Sequence, residues 1–336
     1  MNRTLACLLR DREAELREHH NISWRMTGVA SRRLGWIADP KGLDISSLCG
    51  AGIPFDQPRA GPARETLRGS TQVSNVPDWL RAAQADVLFE ATSLNVETGQ
   101  PAVQHIRAAL EHGAHAITAN KGPIVHAYEP LRDLARAKGK RFLFESIVMD
   151  GVPIFSLFRD NLPAMHLRGF HGILNSTTNV ILSSMEEGLS FEDALKKAQE
   201  LGVAETDASY DIEGWDATVK VAALVIVLMG VPIKLDQIER QGIRGISEKD
   251  VRDARAAGTP YKLVCRATRT GQGVAASVRP EPIPLSDPMA QVMGTSSIIS
   301  FETDIFPCLT ITENNPGLYA TAYGMLADFV RAATQA

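Results

Sequence analysis

Cysteine is scarce in this chain, and its spacing indicates neither a disulfide framework nor a zinc site. Only four cysteines occur in 336 residues, and no two of them form a CxxC pair. The eight histidines also lack a cysteine or carboxylate at metal-ligand spacing, so we expect them to be packed or solvated. The cysteine pattern favours a reducing compartment, and hence the cytoplasm.

Long apolar runs and an excess of basic charge are missing as well. The longest largely apolar stretch, from Val219 to Met229, is too short to span a bilayer, and the N-terminus has no secretory h-region. A net charge of −4 gives no sign of a nucleic-acid footprint. With 44% hydrophobic and 22% charged residues, the chain is typical of a soluble globular protein with two domains, or one domain with a large insertion.

Strands alternate with helices of about ten residues in the first half, which indicates βαβ units and a mostly parallel sheet. Ligands gather at the carboxyl ends of such strands. The segments 91–93 and 119–121 lie at two of these ends and are therefore candidate sites. The predicted elements are helix 5–16, strand 24–30, strand 86–91, helix 101–112, strand 115–118, helix 128–138 and strand 141–145.

Longer helices are predicted in the middle of the chain. Ser190 is a favourable N-cap with Asp193 three residues later, and Gly202 ends the helix that follows. A second helix begins near Trp215 and runs to about residue 230. Because apolar residues lie nearly all round it, we expect it to be buried. Residues 268–284 suggest strands of a second sheet.

Asp216 and Lys220 lie four residues apart near the start of that buried helix, and therefore on one face. Such pairs are common on solvated helices, where they stabilise little. Here the neighbours are apolar, and buried charges are costly unless paired and cluster at functional sites. The sequence favours a functional role over a structural one.

Two further features allow a structural and a functional interpretation. The acidic segment before the helix could cap it through Asp211 or Glu213, or could gather carboxylates around a substrate ammonium group. Lys121 beside Asn120 could serve solubility, or could polarise a substrate oxygen at the edge of the sheet. The carboxylates of the segment are Glu205, Asp207, Asp211 and Glu213.

Three stretches together resemble the homoserine dehydrogenase family over nearly the whole chain. Residues 90–123 read EATSLNVETGQPAVQHIRAALEHGAHAITANKGP. Residues 172–220 open with GILNSTTNVIL and end with AQELGVAETDASYDIEGWDATVK, and residues 315–329 read NPGLYATAYGMLADF. The long middle motif is the specific one. No aspartokinase region or ACT domain is present, which implies the short monofunctional form.

The resemblance implies an α/β fold with a Rossmann-type nucleotide-binding domain and an α+β substrate and dimerisation domain. The predicted bounds are 1–125 and 126–305, followed by a segment, 306–336, that returns to the nucleotide domain. It further implies a homodimer that interconverts L-homoserine and L-aspartate 4-semialdehyde with NAD(H) or NADP(H), on the route to threonine and methionine. No nucleic-acid or membrane partner is expected.

By matching position, the resemblance makes Lys220 and Asp216 the catalytic pair at the reacting oxygen, and Lys121 the second lysine. Glu205 would bind the substrate ammonium, and Asp211 falls in the family's carboxylate loop. A lysine ammonium can stabilise or protonate the oxygen while the cofactor transfers the hydride. The implied cofactor contacts are Thr92, Ser93, Lys121 and Gly317.

The chain departs from the family pattern at two places. Met149 and Asp150 stand where many members have small residues, and Ser176 stands where a glycine is usual. These changes leave room for a related dehydrogenase that acts on another small amino or hydroxy acid. In some members the first of these loops binds a monovalent cation through backbone carbonyls, which correspond here to Glu145, Val148, Asp150 and Val152.

Relative to the family, the nucleotide domain lacks its first strand and glycine-rich turn, because MNRTLACLL aligns with the helix after that turn. A mis-assigned start and a true truncation both explain this, and the latter allows a remnant that binds metabolites without turnover. Arg32 and Arg33 follow the next predicted strand. They suit an NADP 2′-phosphate, or are simply surface arginines.

Overall fold

The computed structural model describes residues 2–31, 34–45, 49 and 73–334. The chain divides into two compact units, one of Met1–Pro153 with Gly317–Ala336 and one of Ile154–Pro316. Both boundaries lie later along the chain than the predicted ones at residues 125 and 305. Arg32 and Arg33 lie outside the described residues.

The first unit opens with helices α1 (Asn2–Asp11) and α2 (Glu13–His20), where a single helix over 5–16 was predicted. That prediction is wrong because Arg12 leaves helical geometry, with φ −105° and ψ 10°. The apolar side of α1 nevertheless packs as expected. It joins a buried cluster with the C-terminal helix, Leu318–Thr334, that contains Leu5, Leu8, Leu9, Leu16, Met325, Leu326 and Phe329.

Strand β1 (Gly28–Ser31) is shorter than predicted and pairs antiparallel with β2 (Gly35–Ala38). It therefore does not belong to the parallel sheet. The connection is too short for the crossover that parallel pairing requires, and Gly35 makes the turn with φ +72°. Trp79 covers this pair, and its Nε1 donates to Ile37 O at 2.7 Å.

Among the described residues of the first unit, three parallel strands form a sheet in the order β3-β4-β5. The βαβ alternation predicted from the sequence is confirmed here. Gly113 ends the first crossover helix in left-handed geometry with φ +94°, as its position past the helix suggested. In chain order the elements are α3 (Val76–Ala83), β3 (Val87–Glu90), α4 (Ala102–His112), β4 (His115–Thr118), α5 (Gly122–Ala137) and β5 (Phe142–Leu143).

The second unit is built on a six-stranded mixed sheet of order β11-β10-β6-β8-β9-β7, in which only β7 and β9 pair in parallel. The second sheet expected near residues 268–284 is confirmed. The strands are β6 (Leu167–Ile173), β7 (Glu239–Arg240), β8 (Tyr261–Thr270), β9 (Gly273–Pro282), β10 (Ser297–Thr303) and β11 (Leu309–Glu313).

Four helices of this unit are α6 (Ser176–Glu186), α7 (Phe191–Glu200), α8 (Trp215–Leu224) and α9 (Glu248–Ala256). The predicted capping of α7 is confirmed, since the Ser190 side chain accepts from Asp193 N. The body of α8 is buried, also as predicted, and continues as a wider π turn, Val225–Met229, up to Gly230. Within the described ranges, no helix is long and apolar enough to cross a membrane.

Candidate functional site

Asp216 and Lys220 form a sheltered ion pair on α8. Lys220 Nζ lies 2.9 Å from Asp216 Oδ2, with the two side chains 17% and 14% exposed. Lys220 Nζ also donates to Leu174 O at 2.6 Å, just beyond the end of β6. The lysine ammonium is thereby anchored to two elements, α8 and the end of a central strand.

The acidic segment before α8 does not cap it. The N-cap residue is Gly214, with φ +83° and no side-chain cap, so the interpretation of Asp211 or Glu213 as a helix cap is wrong. Asp211 instead sits on a short helix, Ser209–Ile212, and turns its carboxylate toward Asn175 and Thr177. This leaves the functional interpretation of the acidic segment in place.

Asn175 joins the two carboxylates of the site. Its Nδ2 donates to Asp211 Oδ1 at 2.7 Å and to Asp216 Oδ2 at 3.0 Å. Its Oδ1 accepts from Thr178 N at 2.8 Å, which caps α6. Thr177 Oγ1 adds a bond to Asp211 Oδ2 at 3.0 Å. We call Asn175, Asp211, Asp216 and Lys220 the carboxylate–lysine cluster.

Sequence reasoning did not single out Asn175 or Thr177. The signal available was the run Asn-Ser-Thr-Thr directly after a predicted strand, which is typical of a helix N-terminus. That signal locates the cap but not its second set of partners, because Asp211 and Asp216 lie 36 and 41 residues further along the chain.

Burial and the nearby charge of Asp216 raise the pKa of Asp211, against the hydrogen bond from Asn175 and the charge of Lys220. Burial raises the pKa of the Cys265 thiol to about 12, so this neighbour of Lys220 stays neutral. With Asp211 ionised, the cluster holds two carboxylates against one ammonium group. It is therefore suited to bind a further cation such as a substrate ammonium.

The first unit brings together the two candidate segments at the carboxyl ends of β3 and β4. Asn120 Nδ2 donates to Thr92 O at 2.9 Å and to Ser93 O at 3.4 Å. Asn120 Oδ1 accepts from Gly122 N at 2.8 Å. Because Lys121 lies between these two contacts and directly precedes α5, its backbone is fixed beside Thr92 and Ser93.

Glu90, the last residue of β3, accepts hydrogen bonds from residues at the ends of both β3 and β4. Sequence reasoning did not single it out. It is only 2% exposed. Its Oε1 accepts from Thr92 N at 3.0 Å, and its Oε2 accepts from Thr118 Oγ1 at 3.1 Å. His105 Nδ1 lies 3.5 Å from Oε1. An acid at the end of a buried strand was the only available signal, and it does not reveal these partners.

The remaining candidates are less closely engaged. Glu205 is exposed, and its backbone oxygen accepts from Gln199 Nε2 at 3.2 Å. Gly317 precedes the C-terminal helix and accepts from Ala320 N at 2.9 Å. In the candidate cation loop, Met149 and Asp150 both adopt left-handed geometry, at φ 50° and 51°. Among the described residues, no group of three or more His, Cys, Asp or Glu side chains is placed to hold a metal.

Known proteins resemble both units. The sequence profile named homoserine dehydrogenase matches residues 153–330, and the profile of the homoserine dehydrogenase NAD-binding domain matches residues 3–145. The NAD(+)-dependent homoserine dehydrogenase of Pseudomonas canavaninivorans is 33% identical over 98% of this chain and 92% of its own length. The homoserine dehydrogenase of Methanocaldococcus jannaschii is 34% identical, over 86% and 88%. A crystal structure of a homoserine dehydrogenase from Thiobacillus denitrificans superposes with a TM-score of 0.80 at 28% identity, covering 99% of this chain and 70% of that one.

Proposed function

Because the chain belongs to the homoserine dehydrogenase family, we propose that it interconverts L-homoserine and L-aspartate 4-semialdehyde with a nicotinamide cofactor, in threonine and methionine biosynthesis in the cytoplasm. The observation that carries this proposal is the carboxylate–lysine cluster. It sets a lysine ammonium, which stabilises negative charge on oxygen, beside carboxylates that bind an amino group.

The chemistry assigned to the cluster follows from its charges. Lys220 stabilises the alkoxide that develops on the substrate oxygen or exchanges a proton with it, and Asp216 keeps the lysine charged and oriented. Asp211 binds the substrate ammonium, together with the Glu205 side chain of the same acidic segment. By the family resemblance, Lys121 is assigned as the second lysine of the reaction.

The nicotinamide cofactor supplies the hydride acceptor or donor when it is bound. The residues at the carboxyl ends of β3 and β4 fit such a group, since the Ser93 hydroxyl and the Lys121 ammonium can donate to ribose and phosphate oxygens. The Thr92 hydroxyl donates to Glu90 and can still accept from a ribose hydroxyl. Gly317 contributes from the start of the C-terminal helix, within the same unit. What these residues do is hold and orient the cofactor.

A spectrophotometric assay of L-homoserine oxidation with NAD⁺ and NADP⁺ tests the proposal. We expect reduced cofactor to form with L-homoserine and not with L-serine, whose hydroxyl lies one carbon closer to the amino group. Turnover of a different hydroxy acid with no turnover of homoserine would favour the related dehydrogenase. A fluorescence titration that detects no nicotinamide binding would favour the non-catalytic remnant.

The choice between NADP(H) and NAD(H) rests on opposing observations. Arg32 and Arg33 favour the 2′-phosphate of NADP(H), whereas the similar enzyme from Pseudomonas canavaninivorans is NAD(+)-dependent. We retain NADP(H) as the prediction from the sequence. The ratio of kcat/KM with the two cofactors decides it, and a clear preference for NAD⁺ would refute the assignment of the two arginines.

We further propose that the loop 145–152 binds a monovalent cation through the backbone carbonyls of Glu145, Val148, Asp150 and Val152. The support is local geometry, since the consecutive left-handed residues Met149 and Asp150 reverse the chain within this loop. Activity should then rise with K⁺ or Na⁺ at constant ionic strength. Equal rates with tetramethylammonium as the only cation would rule the site out.

A homodimer through the sheet of the second unit is proposed as well. Cys265 on β8 is fully buried, whereas the side chain of its neighbour Arg266 is 41% exposed, so the two lie on opposite faces of the sheet. On the Arg266 face, a polar row runs through Ser300, His171, Arg266 and Ser277. Light scattering should give twice the chain mass of 36.5 kDa for the wild type. The Ser277→Arg variant should be a monomer with the mass of one chain. A wild-type protein of single mass would contradict the dimer.

Asp211→Asn should weaken homoserine binding and stabilise the fold at alkaline pH. Because burial raises the Asp211 pKa above its unfolded value, folding favours the protonated carboxyl. The associated stability is present below the unfolded pKa and is lost as the pH rises through the folded pKa. At alkaline pH, where the carboxyl is ionised, the wild type carries a costly buried carboxylate that the asparagine removes. We expect KM for homoserine to rise about tenfold or more, since one charge-assisted contact is lost.

The matched control is Asp207→Asn, which lies in the same segment but is exposed. It should leave KM and alkaline stability near the wild-type values. Denaturation at pH 8 and at lower pH provides the stability measurement. An Asp211→Asn variant with unchanged KM would remove Asp211 from the ammonium site, and lower stability at pH 8 would contradict the direction of its pKa shift.

A further inference from the structure

Tyr210 stands out among the buried polar groups of the second unit. It directly precedes Asp211 on the short helix Ser209–Ile212. Its hydroxyl oxygen is buried, and it has no hydrogen-bond partner among the residues that the structure describes. Leaving a buried hydroxyl unsatisfied is costly, and in native proteins such a group calls for an explanation.

The charges of the carboxylate–lysine cluster act on this hydroxyl. Burial first, and then the charges of Asp216 and Asp211, raise the pKa of Tyr210. Asp216 lies on α8 and Asp211 follows Tyr210 on the short helix, so carboxylates from two elements contribute to this shift. The hydroxyl therefore stays protonated at any working pH and offers a hydrogen-bond donor there.

The carboxylates of the cluster accept hydrogen bonds from other donors. Asp211 accepts from Asn175 at Oδ1 and from Thr177 at Oδ2, while Asp216 Oδ2 accepts from both Asn175 and Lys220. Because the Tyr210 hydroxyl has no partner among the described residues, its donor is available to a ligand that enters the cluster. The ligand group that it meets must be an acceptor.

An amino-acid substrate has three polar groups, and the cluster distinguishes them by charge. The ammonium is a donor and matches the carboxylates. The reacting oxygen belongs with Lys220, which stabilises its negative charge. The α-carboxylate only accepts hydrogen bonds, and a neutral hydroxyl donor suits it in a site whose other fixed charges are largely negative.

Resting on the function proposed above, we propose that the Tyr210 hydroxyl donates a hydrogen bond to the α-carboxylate of the bound amino acid. Tyr210 is then a specificity-determining residue that distinguishes amino acids from amino alcohols without a carboxylate. The bond would also satisfy the buried hydroxyl, so the free energy of substrate binding includes the relief of that cost.

Tyr210→Phe is the direct test, since it removes only the hydroxyl. Isothermal titration with two probes that are not oxidised separates the carboxylate from the rest of the ligand. L-2-aminobutyrate keeps the α-carboxylate, and 1-propylamine lacks it. We expect the variant to bind L-2-aminobutyrate about tenfold more weakly than the wild type and 1-propylamine equally well. Its kcat/KM for L-homoserine should fall by a similar factor.

Unchanged affinity for L-2-aminobutyrate would overturn the proposal, and so would equal weakening of both probes. Tyr261→Phe, at the start of β8, serves as the control for loss of a tyrosine hydroxyl elsewhere in this unit, and thermal unfolding verifies that both variants fold. Because the titration needs no turnover, a failure of the Tyr210 proposal can be distinguished from a failure of the proposed reaction. A wild-type protein that binds the probe but does not oxidise homoserine would count against the reaction and not against Tyr210.

Discussion

Replacing Lys220 with alanine should lower kcat/KM for L-homoserine about a thousandfold, the largest effect that we expect from any single substitution in the site. The variant loses the cation that we propose stabilises the developing alkoxide, and positioned acid–base or oxyanion groups contribute factors of about 10² to 10⁴. It also leaves Asp216, whose side chain is only 14% exposed, without its ion-pair partner at 2.9 Å. Steady-state kinetics in the direction of oxidation measure the effect.

Two controls separate this role from general damage. Lys220→Arg keeps the charge but not the compact ammonium geometry, so it should be impaired less than the alanine variant. Lys197→Ala removes an exposed lysine that pairs with Glu187 at 3.1 Å on the surface, and it should be neutral. Cofactor affinity should be unchanged in all three, because the proposed cofactor residues belong to the other unit. Full activity of Lys220→Ala would overturn the assigned role.

Gly172→Ala should strongly destabilise the second unit. A Cβ at this position would lie 2.2 Å from Ile298 O and 2.9 Å from Ile299 Cα, in the adjacent strand β10. Since these are backbone atoms, β6 and β10 must separate locally. Overpacking of this kind costs about 3 kcal/mol, and for a domain of this size the unfolding midpoint should fall by about 6–12 °C.

The same variant should lose activity at temperatures where it is still folded. Gly172 is two residues before Leu174, whose carbonyl accepts from Lys220, and three before Asn175. A shift of β6 is therefore transmitted to the carboxylate–lysine cluster. Gly245→Ala is the control, because its Cβ would meet no heavy atom within 4 Å, and its midpoint should stay near that of the wild type. A Gly172→Ala protein that unfolds like the wild type would show that β10 yields without cost.

Local signals predicted the parts of the molecule that depend on neighbours in the sequence. The cap at Ser190 and the helix end at Gly113 were identified from residue type and position, and both are present in the structure. Asp216 and Lys220 were predicted to meet because helical periodicity places residues four apart on one face. In each case the partner lies within one helical turn, so the sequence itself specifies the contact.

Contacts between distant residues were beyond such reasoning. Asn175 reaches Asp211 and Asp216 only because α6 and the acidic segment pack together, and no periodicity encodes that packing. The antiparallel pairing of β1 was missed for a related reason. An isolated run of strand-forming residues does not indicate whether the strand beside it runs parallel or antiparallel. The family resemblance supplied roles for individual residues, but the amide that joins the two carboxylates became visible only in the structure.

The hydrogen bonds of the Asn175 side chain limit which residues can replace it. Its side chain has one acceptor and two donors, and all three are used, the oxygen on Thr178 N and the two hydrogens on Asp211 and Asp216. Aspartate would preserve the cap but bring a third negative charge against the other two, while serine would preserve the cap and release both carboxylates. One side-chain amide thus caps α6 and also bridges the two carboxylates of the carboxylate–lysine cluster. Each of the other favoured N-cap residues at position 175 would lose at least one of the hydrogen bonds to Asp211 and Asp216. The cap of α6 therefore cannot be kept by substitution at this position without loss of the contacts between the carboxylates.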